Sequence, residues 1–557
     1  MADFCNKVVY QIYPKSFRDT NGDGIGDIPG VIEKLDYLQE LGVDFLWLTP
    51  IFISPQRDNG YDVADYRKIN PEFGTMEDLE NLIFQSRKRG MSIMLDMVFN
   101  HTSTEHEWFQ KALAGEEKYQ KYYIFKEGTP DHVPTNWESK FGGSAWEYVP
   151  SLKKWYLRLY DVSQADLNWD NPEVREELKD ILRFWKEKGI RAFRFDVINL
   201  VSKPEKMEDD FEGDGRRFYS DGPHIHEYLK ELVKDAGIED FVTVGEMSST
   251  SLEHCIRYSA PKEKELSMCF NFHHLKVDYE NGDKWELGTT DYKKLKELFI
   301  KWQIGMQKGE GWNALFWCNH DQPRIVSRLG DESIYWKESA KMLAGMIHFM
   351  RGTPYIYQGE EIGMQNAHYL SIEQYRDVES LNYYQILLEK GKRKEEALEI
   401  LSARSRDNSR TPMQWTGEKY GGFSETEPWI PMSAGFREEI TVKAQQKEED
   451  SILSFYKKLT AMRKRHAVIA KGEISFLETE TDMVLAYQRK LEDQQIVVIC
   501  NLDEKQQSVK TDKEWGRYQV LLENYEGREI NLNEEAYTME PYEFIVLGNL
   551  TGTVAKK

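Results

Sequence analysis

Cysteine is scarce in this chain of 557 residues, and its few positions argue against two classes of protein. The five cysteines are odd in number and widely spaced, which indicates neither a disulfide framework nor a zinc motif. They are Cys5, Cys255, Cys269, Cys318 and Cys500. Because disulfides persist mainly in oxidising compartments, such thiols are typical of a reducing cytoplasm. We therefore expect a cytoplasmic protein.

Long apolar runs are missing as well. No apolar stretch approaches the ~20 residues that a membrane-spanning helix needs. The first seven residues, Met-Ala-Asp-Phe-Cys-Asn-Lys, do not follow the plan of a signal peptide. Repeats and low-complexity tracts are also lacking. The sequence thus predicts a soluble intracellular protein with no membrane partner.

Positive charge is in deficit. The chain has 73 Lys and Arg against 95 Asp and Glu, a net charge of −22. This balance argues against nucleic acid or an anionic membrane as the main partner, and any anionic ligand would need a local basic pocket. Apolar residues make up 40% and aromatic residues 13%, so a large interior can be buried. A chain this long suggests two or three domains.

Short β-rich runs recur along the chain with helical patterns between them. Eight such runs occur, at residues 8–13, 45–50, 92–99, 189–199, 241–246, 267–272, 314–320 and 354–358. Amphipathic segments lie at 30–41, 76–88, 174–188 and 225–234. This alternation of strand and helix predicts an α/β fold, the (β/α)8 TIM barrel, whose active site lies at the C-terminal ends of the strands.

Two irregular segments interrupt or extend the predicted barrel. A segment rich in Trp and Gly follows strand three and is too long for one βα connection, so it predicts an inserted domain. A second insertion at 361–448 carries a helix near 384–403, and runs at 483–487, 496–500, 518–522 and 544–547 predict a terminal antiparallel β domain. The predicted division is barrel 1–100, inserted domain 101–169, barrel 170–473 and C-terminal β domain 474–557.

The segment 19–27 spaces oxygen ligands around a glycine turn, which suits a hard divalent cation. It is not an EF-hand, because the twelfth position is Gly30 rather than glutamate. A glycine turn without metal stays an alternative, and no nucleotide-binding glycine pattern is met. We expect one structural ion, calcium or magnesium, and no organic cofactor. The expected ligands are Asp19, Asn21, Asp23, Asp27 and the backbone carbonyl of Ile25.

Polar side chains gather where the predicted strands end. Arg194 and Asp196 are two apart in a strand and point to the same side, so the cation would keep the carboxylate ionised as a nucleophile. A structural ion pair is the alternative. Two further acids, Glu246 and Asp321, end other strands of the same barrel. Two carboxylates at a barrel mouth are what glycoside hydrolysis needs, one as nucleophile and one as acid.

Four segments at these strand ends, at 96–101, 189–199, 244–247 and 319–321, form an ordered set with the segment 164–168 of the inserted domain. In this order they resemble the signature segments of the α-amylase family of glycoside hydrolases. The resemblance implies that Asp196 is the nucleophile, Glu246 the acid/base and Asp321 the stabiliser of the transition state. It places five further residues at the glucosyl ring in subsite −1, namely Tyr61, His101, Gln164, Arg194 and His320. Asp58 and Arg406 match residues that close this pocket in exo-acting α-glucosidases, and the segment 19–27 matches a calcium loop.

Within that family the chain most resembles the trehalose-6-phosphate hydrolases, through segments 137–146, 212–219, 254–258 and 273–279. The resemblance implies a retaining, exo-acting α-glucosidase that cleaves α,α-trehalose 6-phosphate to glucose and glucose 6-phosphate. Oligo-1,6-glucosidases, which act on short α-1,6-linked glucosides, are the alternative and share Val197. They tend to place acidic residues at the positions of His273 and Lys276. Ala165 stands where Pro is common in the family.

A phosphorylated disaccharide would need cationic donors near the barrel mouth. Lys276 and His273 follow strand six and Arg216 follows strand four, so these groups can reach the active face. Ordinary surface charge is the alternative for each. A transporter subunit or regulator on the same fold is a further alternative, but such relatives usually lose the catalytic acids or carry a membrane helix. We expect a monomer or weak oligomer with no nucleic-acid partner.

Overall fold

The barrel predicted from the alternating strands and helices is present in the computed structural model, which describes residues 4–550. Its eight strands are β1 (Val9–Ile12), β2 (Phe45–Leu48), β3 (Ser92–Met97), β4 (Ala192–Phe195), β5 (Val242–Glu246), β6 (Met268–Phe270), β7 (Ala314–Leu315) and β8 (Thr353–Tyr357). They pair in parallel in the order β6-β5-β4-β3-β2-β1-β8-β7. A parallel bridge from Cys269 to Asn313, just before β7, spans the remaining gap. The predicted (β/α)8 fold is thereby confirmed.

Helices between the strands cover the outside of the barrel. The main ones are Ile28–Glu33, Leu35–Leu41, Met76–Lys88, Pro172–Glu187, Ile225–Asp235, Leu252–Ser259, Tyr292–Lys308 and Trp336–His348, with shorter ones at Arg216–Tyr219 and Ile325–Leu329. Their starts are encoded locally: Thr75 and Asp78 form a capping box, and Asn171 caps the helix that Pro172 begins. Because helices cover the sheet, β1, β4 and β8 are buried along their whole length.

The inserted domain after β3 is built from two small antiparallel sheets. Its helices are Glu107–Leu113 and Glu117–Gln120, and one sheet joins Phe125–Glu127, Lys154–Leu157 and Trp146–Val149. The other sheet pairs His101–Ser103 with Gln164–Asp166, setting Asp166 opposite His101. The two ends of the insertion therefore meet at the barrel mouth. A short antiparallel pair after β2, Phe52–Ile53 with Asp65–Ile69, carries another loop to the same place.

The segment after β8 contains two helices where the sequence predicted one near 384–403. They are Val378–Glu389 and Lys394–Arg404. Gly391 adopts φ +87° between them, a left-handed conformation that ends a helix. Further helices follow at Asp407–Arg410, Val442–Gln445, Ile452–Arg465 and Ala467–Lys471.

An antiparallel β domain ends the described chain, as predicted. Its five-stranded sheet has the order Glu473–Leu477, Val484–Leu491, Gln494–Asn501, Phe544–Asn549, Gln519–Glu523, and a second sheet pairs Gln507–Lys510 with Ala536–Met539. Residues 1–3 and 551–557 of the predicted domains lie outside the described residues. The exact domain bounds stay a prediction.

Within residues 4–550 no disulfide joins any of the five cysteines. No helix in that range is long and apolar enough to cross a membrane.

Candidate active site

The guanidinium of Arg194 lies at the centre of the barrel mouth and is fully buried. Its Nη1 donates to Oδ1 of Asp96 at 2.7 Å and to Oδ1 of Asp196 at 2.6 Å, and its Nη2 contacts the carboxylate of Glu246. The parallel register brings these groups together, because Arg194 lies opposite Asp96 on one side and Val244 on the other. One cation therefore holds three carboxylates, two of which are the predicted nucleophile and acid.

Burial dominates the electrostatics of the two aspartates on Arg194. It raises the pKa of Asp96 to about 7 and raises the pKa of Asp196, while the charge of Arg194 acts in the opposite direction on both. Asp96 also accepts hydrogen bonds from Nε1 of Trp47 at 3.0 Å and from the hydroxyl of Tyr61 at 2.9 Å. Asp96 thus uses its oxygens to orient neighbours, which leaves Asp196 to face the pocket.

The residue after Asp196 has an unusual backbone. Val197 adopts φ 34° and ψ 39°, a left-handed conformation that a β-branched side chain rarely takes. It turns the chain out of β4 at once, so Asp196 stands at the strand end. Such local strain is found where the surrounding structure holds a functional group in place.

Asp321 is the third predicted acid, and it lies among cations. Its carboxylate accepts from Nη2 of Arg410 at 2.9 Å and Nη1 of Arg406 at 3.3 Å, and Nε2 of His320 lies at 3.2 Å. Burial alone would raise its pKa, but His320 and the two arginines outweigh burial and hold the pKa well below its usual range. Asp321 therefore stays ionised at neutral pH and can face a developing positive charge.

Arg406 also closes one side of the pocket. Its Nη2 donates to Oδ1 of Asp58 at 2.9 Å, and its guanidinium lies 4.7 Å from the ring centroid of Phe141. Nε2 of Gln164 donates to the other oxygen of Asp58 at 3.0 Å. A loop of the barrel, the inserted domain and the segment after β8 thus meet in one barrier at this side of the pocket.

The wall facing the acids is made of the rings of Tyr61, His101 and His320. Nε2 of His101 lies 3.1 Å from the carbonyl of Tyr61 and 3.2 Å from Nε2 of Gln164. Burial lowers the pKa of His101 to about 4, so the ring is uncharged at neutral pH. The rings of Tyr61 and His320 are stacked with centroids 4.9 Å apart. These side chains form a rigid surface suited to a sugar ring.

A pocket of about 200 Å³ collects these groups. Seven of the predicted site residues line it, namely Asp58, Tyr61, His101, Asp196, Glu246, Asp321 and Arg406. Gln164, Arg194 and His320 lie behind this lining and hold it through the contacts above. The lining also contains residues that the sequence analysis did not assign: Lys140, Phe141, Tyr160, Val197, Ser248, Lys284, Gln322 and Glu379. Lys140 and Phe141 fall in the segment 137–146, one of the segments through which the chain resembles trehalose-6-phosphate hydrolases. That resemblance was the signal in the sequence by which these two residues could have been found.

The three side chains predicted to bind the phosphate differ in the hydrogen bonds that they already make within the protein. His273 has Nε2 2.9 Å from the carbonyl of Thr250, and its ring stacks on Trp302 at 5.0 Å. Nε of Arg216 donates to both oxygens of Asp214, at 2.8 and 2.9 Å. Lys276 makes no ion pair with any residue in the described chain. Of the three, Lys276 alone makes no side-chain hydrogen bond or ion pair within residues 4–550.

The predicted cation loop is held by its own backbone. Asp19 accepts from the amides of Gly22 and Gly24 at 2.7 and 2.9 Å, and Asp27 accepts from the amides of Thr20 and Gly30 at 2.9 and 2.7 Å. The side chains of Asn21 and Asp23 are exposed and bond to each other at 3.0 Å. The all-oxygen donor set suits a hard cation. However, within residues 4–550 no three His, Cys, Asp or Glu side chains are gathered to hold a metal, so the ion and the carbonyl of Ile25 as its ligand stay predictions.

Comparison with known proteins agrees with this geometry. The alpha-amylase catalytic domain model matches residues 11–472, and the C-terminal domain model of maltogenic amylase matches 474–546. Trehalose-6-phosphate hydrolases of Bacillus subtilis and Escherichia coli are 52% and 51% identical, over 97% of this chain and 97% and 98% of their own. Oligo-1,6-glucosidase of Bacillus cereus is 43% identical, over 97% of this chain and 98% of its own. The crystal structure of Bacillus licheniformis trehalose-6-phosphate hydrolase has a TM-score of 0.93 at 51% identity, covering 98% of this chain and 100% of that one. The chain belongs to the α-amylase family of glycoside hydrolases.

Proposed function

We propose that this enzyme hydrolyses α,α-trehalose 6-phosphate to glucose and glucose 6-phosphate. The observation that carries the proposal is a pocket lined by three acids and by Lys140, with Lys276 nearby, and neither lysine has a carboxylate partner within residues 4–550. The pocket accepts one terminal glucosyl unit, and the lysines suit an anionic group on the second sugar. The relatives agree, because full-length trehalose-6-phosphate hydrolases are 51–52% identical to the chain and an oligo-1,6-glucosidase of similar coverage is 43% identical.

The reaction follows from the positions of Asp196 and Glu246. Asp196 attacks the anomeric carbon, the glycosidic bond breaks, and Glu246 gives its proton to the oxygen that leaves with glucose 6-phosphate. Glu246 then takes a proton from a water molecule, and that water displaces Asp196 from the glucosyl ester. Two inversions give α-glucose, so the configuration is retained. Because both carboxylates contact one guanidinium, we place them at the short separation of retaining enzymes, about 5 to 5.5 Å.

Asp321 forms no covalent bond to the substrate and acts through its negative charge. Its carboxylate stays ionised between Arg406 and Arg410, so it can stabilise the oxocarbenium-like transition state at the anomeric carbon. Every step is carried by side chains, and we propose no organic cofactor.

The phosphate of the substrate has to be held against the protein's overall charge. A net charge of −22 repels a dianion, so local donors must outweigh the general field. The guanidinium of Arg216 already binds Asp214, and Nε2 of His273 already binds a backbone carbonyl. We therefore assign the phosphate contact to lysine, with Lys276 the residue that follows β6.

The test is a comparison of kcat/KM for trehalose 6-phosphate, trehalose and isomaltose. We expect trehalose 6-phosphate to be cleaved most efficiently, mainly through a lower KM. A higher value for isomaltose would instead support an oligo-1,6-glucosidase. Equal values for trehalose and its phosphate would show that no phosphate site exists.

We also propose a cytoplasmic location and a monomer or weak oligomer. The location is supported by the lack of disulfides among the described cysteines and by a charged substrate that cannot diffuse through a bilayer. Fractionation with a cytoplasmic marker tests the first statement. Sedimentation velocity at micromolar concentration tests the second.

A further inference from the structure

Lys140 lies on a tight turn of the inserted domain whose backbone is firmly held. The amide of Lys140 donates to the carbonyl of Leu159 at 2.8 Å, and the amide of Ser139 donates to the carbonyl of Gly143 at 2.9 Å. The hydroxyl of Ser139 donates to the carbonyl of Tyr160 at 2.7 Å. These contacts fix where the side chain of Lys140 starts.

The side chain of Lys140 points into the catalytic pocket. It lines the same 200 Å³ pocket as Asp196 and Glu246, and its Nζ lies 5.4 Å from the ring centroid of Tyr219. The next residue, Phe141, packs against Arg406 of the barrier. Lys140 therefore enters the pocket from the inserted domain, next to the contact between Phe141 and Arg406.

The charged groups that act on the pKa of Lys140 are two cations and one carboxylate. Burial, followed by the nearby cations Arg216 and Lys276, lowers the pKa of Lys140 to about 7, and Asp214 opposes this shift. Asp214 is already bound through both oxygens by Arg216. No carboxylate in residues 4–550 lies within ion-pair distance of Nζ of Lys140. The other titratable groups that line the pocket are Asp58, Tyr61, His101, Tyr160, Asp196, Glu246, Lys284, Asp321, Glu379 and Arg406.

Two unpaired lysines beside a partly buried pocket cost stability unless an anion joins them. We propose that Lys140 donates the inserted domain's contact to the 6-phosphate of the substrate, so that the phosphate is held between Lys140 and Lys276. This assignment rests on the proposed function and adds a specificity-determining residue that belongs to the inserted domain. It makes the recognition of the phosphorylated sugar depend on the protonation of one lysine.

The pH dependence follows from this arrangement. The phosphate loses its second proton near pH 6 and is a dianion above that value. Lys140 begins to lose its own proton near pH 7 in the free enzyme. KM for trehalose 6-phosphate should therefore rise several-fold between pH 7 and 9, beyond any rise for an uncharged aryl α-glucoside. The inhibition constant of glucose 6-phosphate should also rise between pH 7 and 9, whereas the inhibition constant of glucose should not.

The variants Lys140→Met and Lys140→Arg test the assignment, with Lys126→Met as the matched control. Lys126 is exposed and lies in the same inserted domain. We expect Lys140→Met to lower the ratio of kcat/KM for trehalose 6-phosphate to that for p-nitrophenyl α-glucoside by at least tenfold, through KM. Arginine keeps its charge at all these pH values, so Lys140→Arg should retain the ratio at pH 7 and flatten the rise to pH 9. The control should leave the ratio as it is.

An equal loss on both substrates in Lys140→Met would overturn the assignment while leaving the proposed function intact, provided the wild type prefers trehalose 6-phosphate. A wild type without that preference would overturn the function itself. Should the variants fail to fold, the inhibition constant of glucose 6-phosphate in the wild-type enzyme decides the matter. A value that does not change between pH 7 and 9 contradicts the assignment.

Discussion

At the scale of single residues, the site depends on how cations are shared among carboxylates. Arg194 contacts Asp196 and Glu246, while Arg406 and Arg410 contact Asp321. Burial raises the pKa of Asp196, whereas the groups around Asp321 outweigh burial and hold its pKa well below its usual range, so the two aspartates differ because their neighbours differ. The first two predictions change one residue of this set and one of the phosphate site.

Asp196→Asn should lower kcat by roughly 10⁴-fold or more, because the amide cannot form the glucosyl ester. The melting temperature should change little, since the variant keeps a hydrogen-bonding group of the same size beside Arg194. Activity assays and thermal unfolding measure the two effects. An NMR time course of the wild-type enzyme should show α-glucose as the first product. If β-glucose appears first, the retaining mechanism is wrong.

Lys276→Ala should raise KM for trehalose 6-phosphate by about 10- to 100-fold, the size expected for one charge-assisted hydrogen bond. The ratio of kcat/KM for this substrate to that for an uncharged aryl α-glucoside measures the effect. Lys308→Ala serves as control, because Lys308 ends the helix Tyr292–Lys308 and is exposed. Equal losses on both substrates would show that Lys276 supports the fold rather than the phosphate.

At the scale of elements, the position of the inserted domain depends on the pairing of His101–Ser103 with Gln164–Asp166. Asp166 in this pair accepts from Nδ2 of Asn100 at 3.0 Å and lies 3.5 Å from Nζ of Lys203, and all of these side chains are buried. The pair therefore fixes both the inserted domain and the rings that face the sugar.

Asp166→Ala should destabilise the protein by about 3–5 kcal/mol, because it leaves the charge of Lys203 buried and unpaired. Turnover should fall as well, since His101 and Gln164 lose their support. Urea unfolding measures the first effect. Glu147→Gln is the comparison variant: its partner Arg158 lies 4.0 Å away and Glu147 is 46% exposed, so the loss should stay under about 1 kcal/mol. Similar losses in the two variants would contradict the role given to Asp166.

The loop 19–27 is the second element with a testable role. If it binds a divalent ion, calcium added to EDTA-treated protein should raise the melting temperature by several degrees, since a ligand bound only to the native state stabilises it. Activity at low temperature should change less. Calorimetric titration with Ca²⁺ and with Mg²⁺ identifies the ion. Asp23→Ala should remove the shift; the absence of any shift in the wild type would show that the loop is only a turn.

At the scale of the whole molecule, the C-terminal β domain and the barrel share one interior. Phe544 of the β domain is fully buried against Phe349, and the hydroxyl of Tyr487 donates to the carbonyl of Met346 at 2.7 Å. Gly345 makes this close approach possible, because a Cβ at that position would lie 2.4 Å from the ring of Phe544. The domains are therefore joined by packing rather than by a linker.

Phe544→Ala should cost about 3–5 kcal/mol by opening a cavity between barrel and β domain. Because the two domains share this interior, scanning calorimetry should show one unfolding transition in the wild type. The same substitution at Phe211, which is 87% exposed, should change stability by less than about 0.5 kcal/mol. Two separate transitions in the wild type would show that the domains unfold independently.

The sequence by itself determined the barrel, the order of its strands and the acids at their ends. The reason is local: strand runs, helix caps and the two-residue alternation of Arg194 and Asp196 are encoded within a few neighbouring residues. The sequence predicted one helix near 384–403 where the structure has two, because Gly391 separates them. A single glycine inside a helical pattern does not show which φ it will adopt. His273 and Arg216 show the same limit, since the sequence identifies them as donors but does not show that Nε2 of His273 and Nε of Arg216 already have partners.

Only the tertiary structure decided which distant side chains meet in the pocket. Lys284 and Glu379 are 95 positions apart and 2.7 Å from each other at its wall, and no pattern in either segment predicts the contact. Lys140 reaches the pocket because the inserted domain folds back through the pairing of its two ends. Such contacts between distant residues depend on how whole elements pack, and the periodicity of a single segment does not predict that packing.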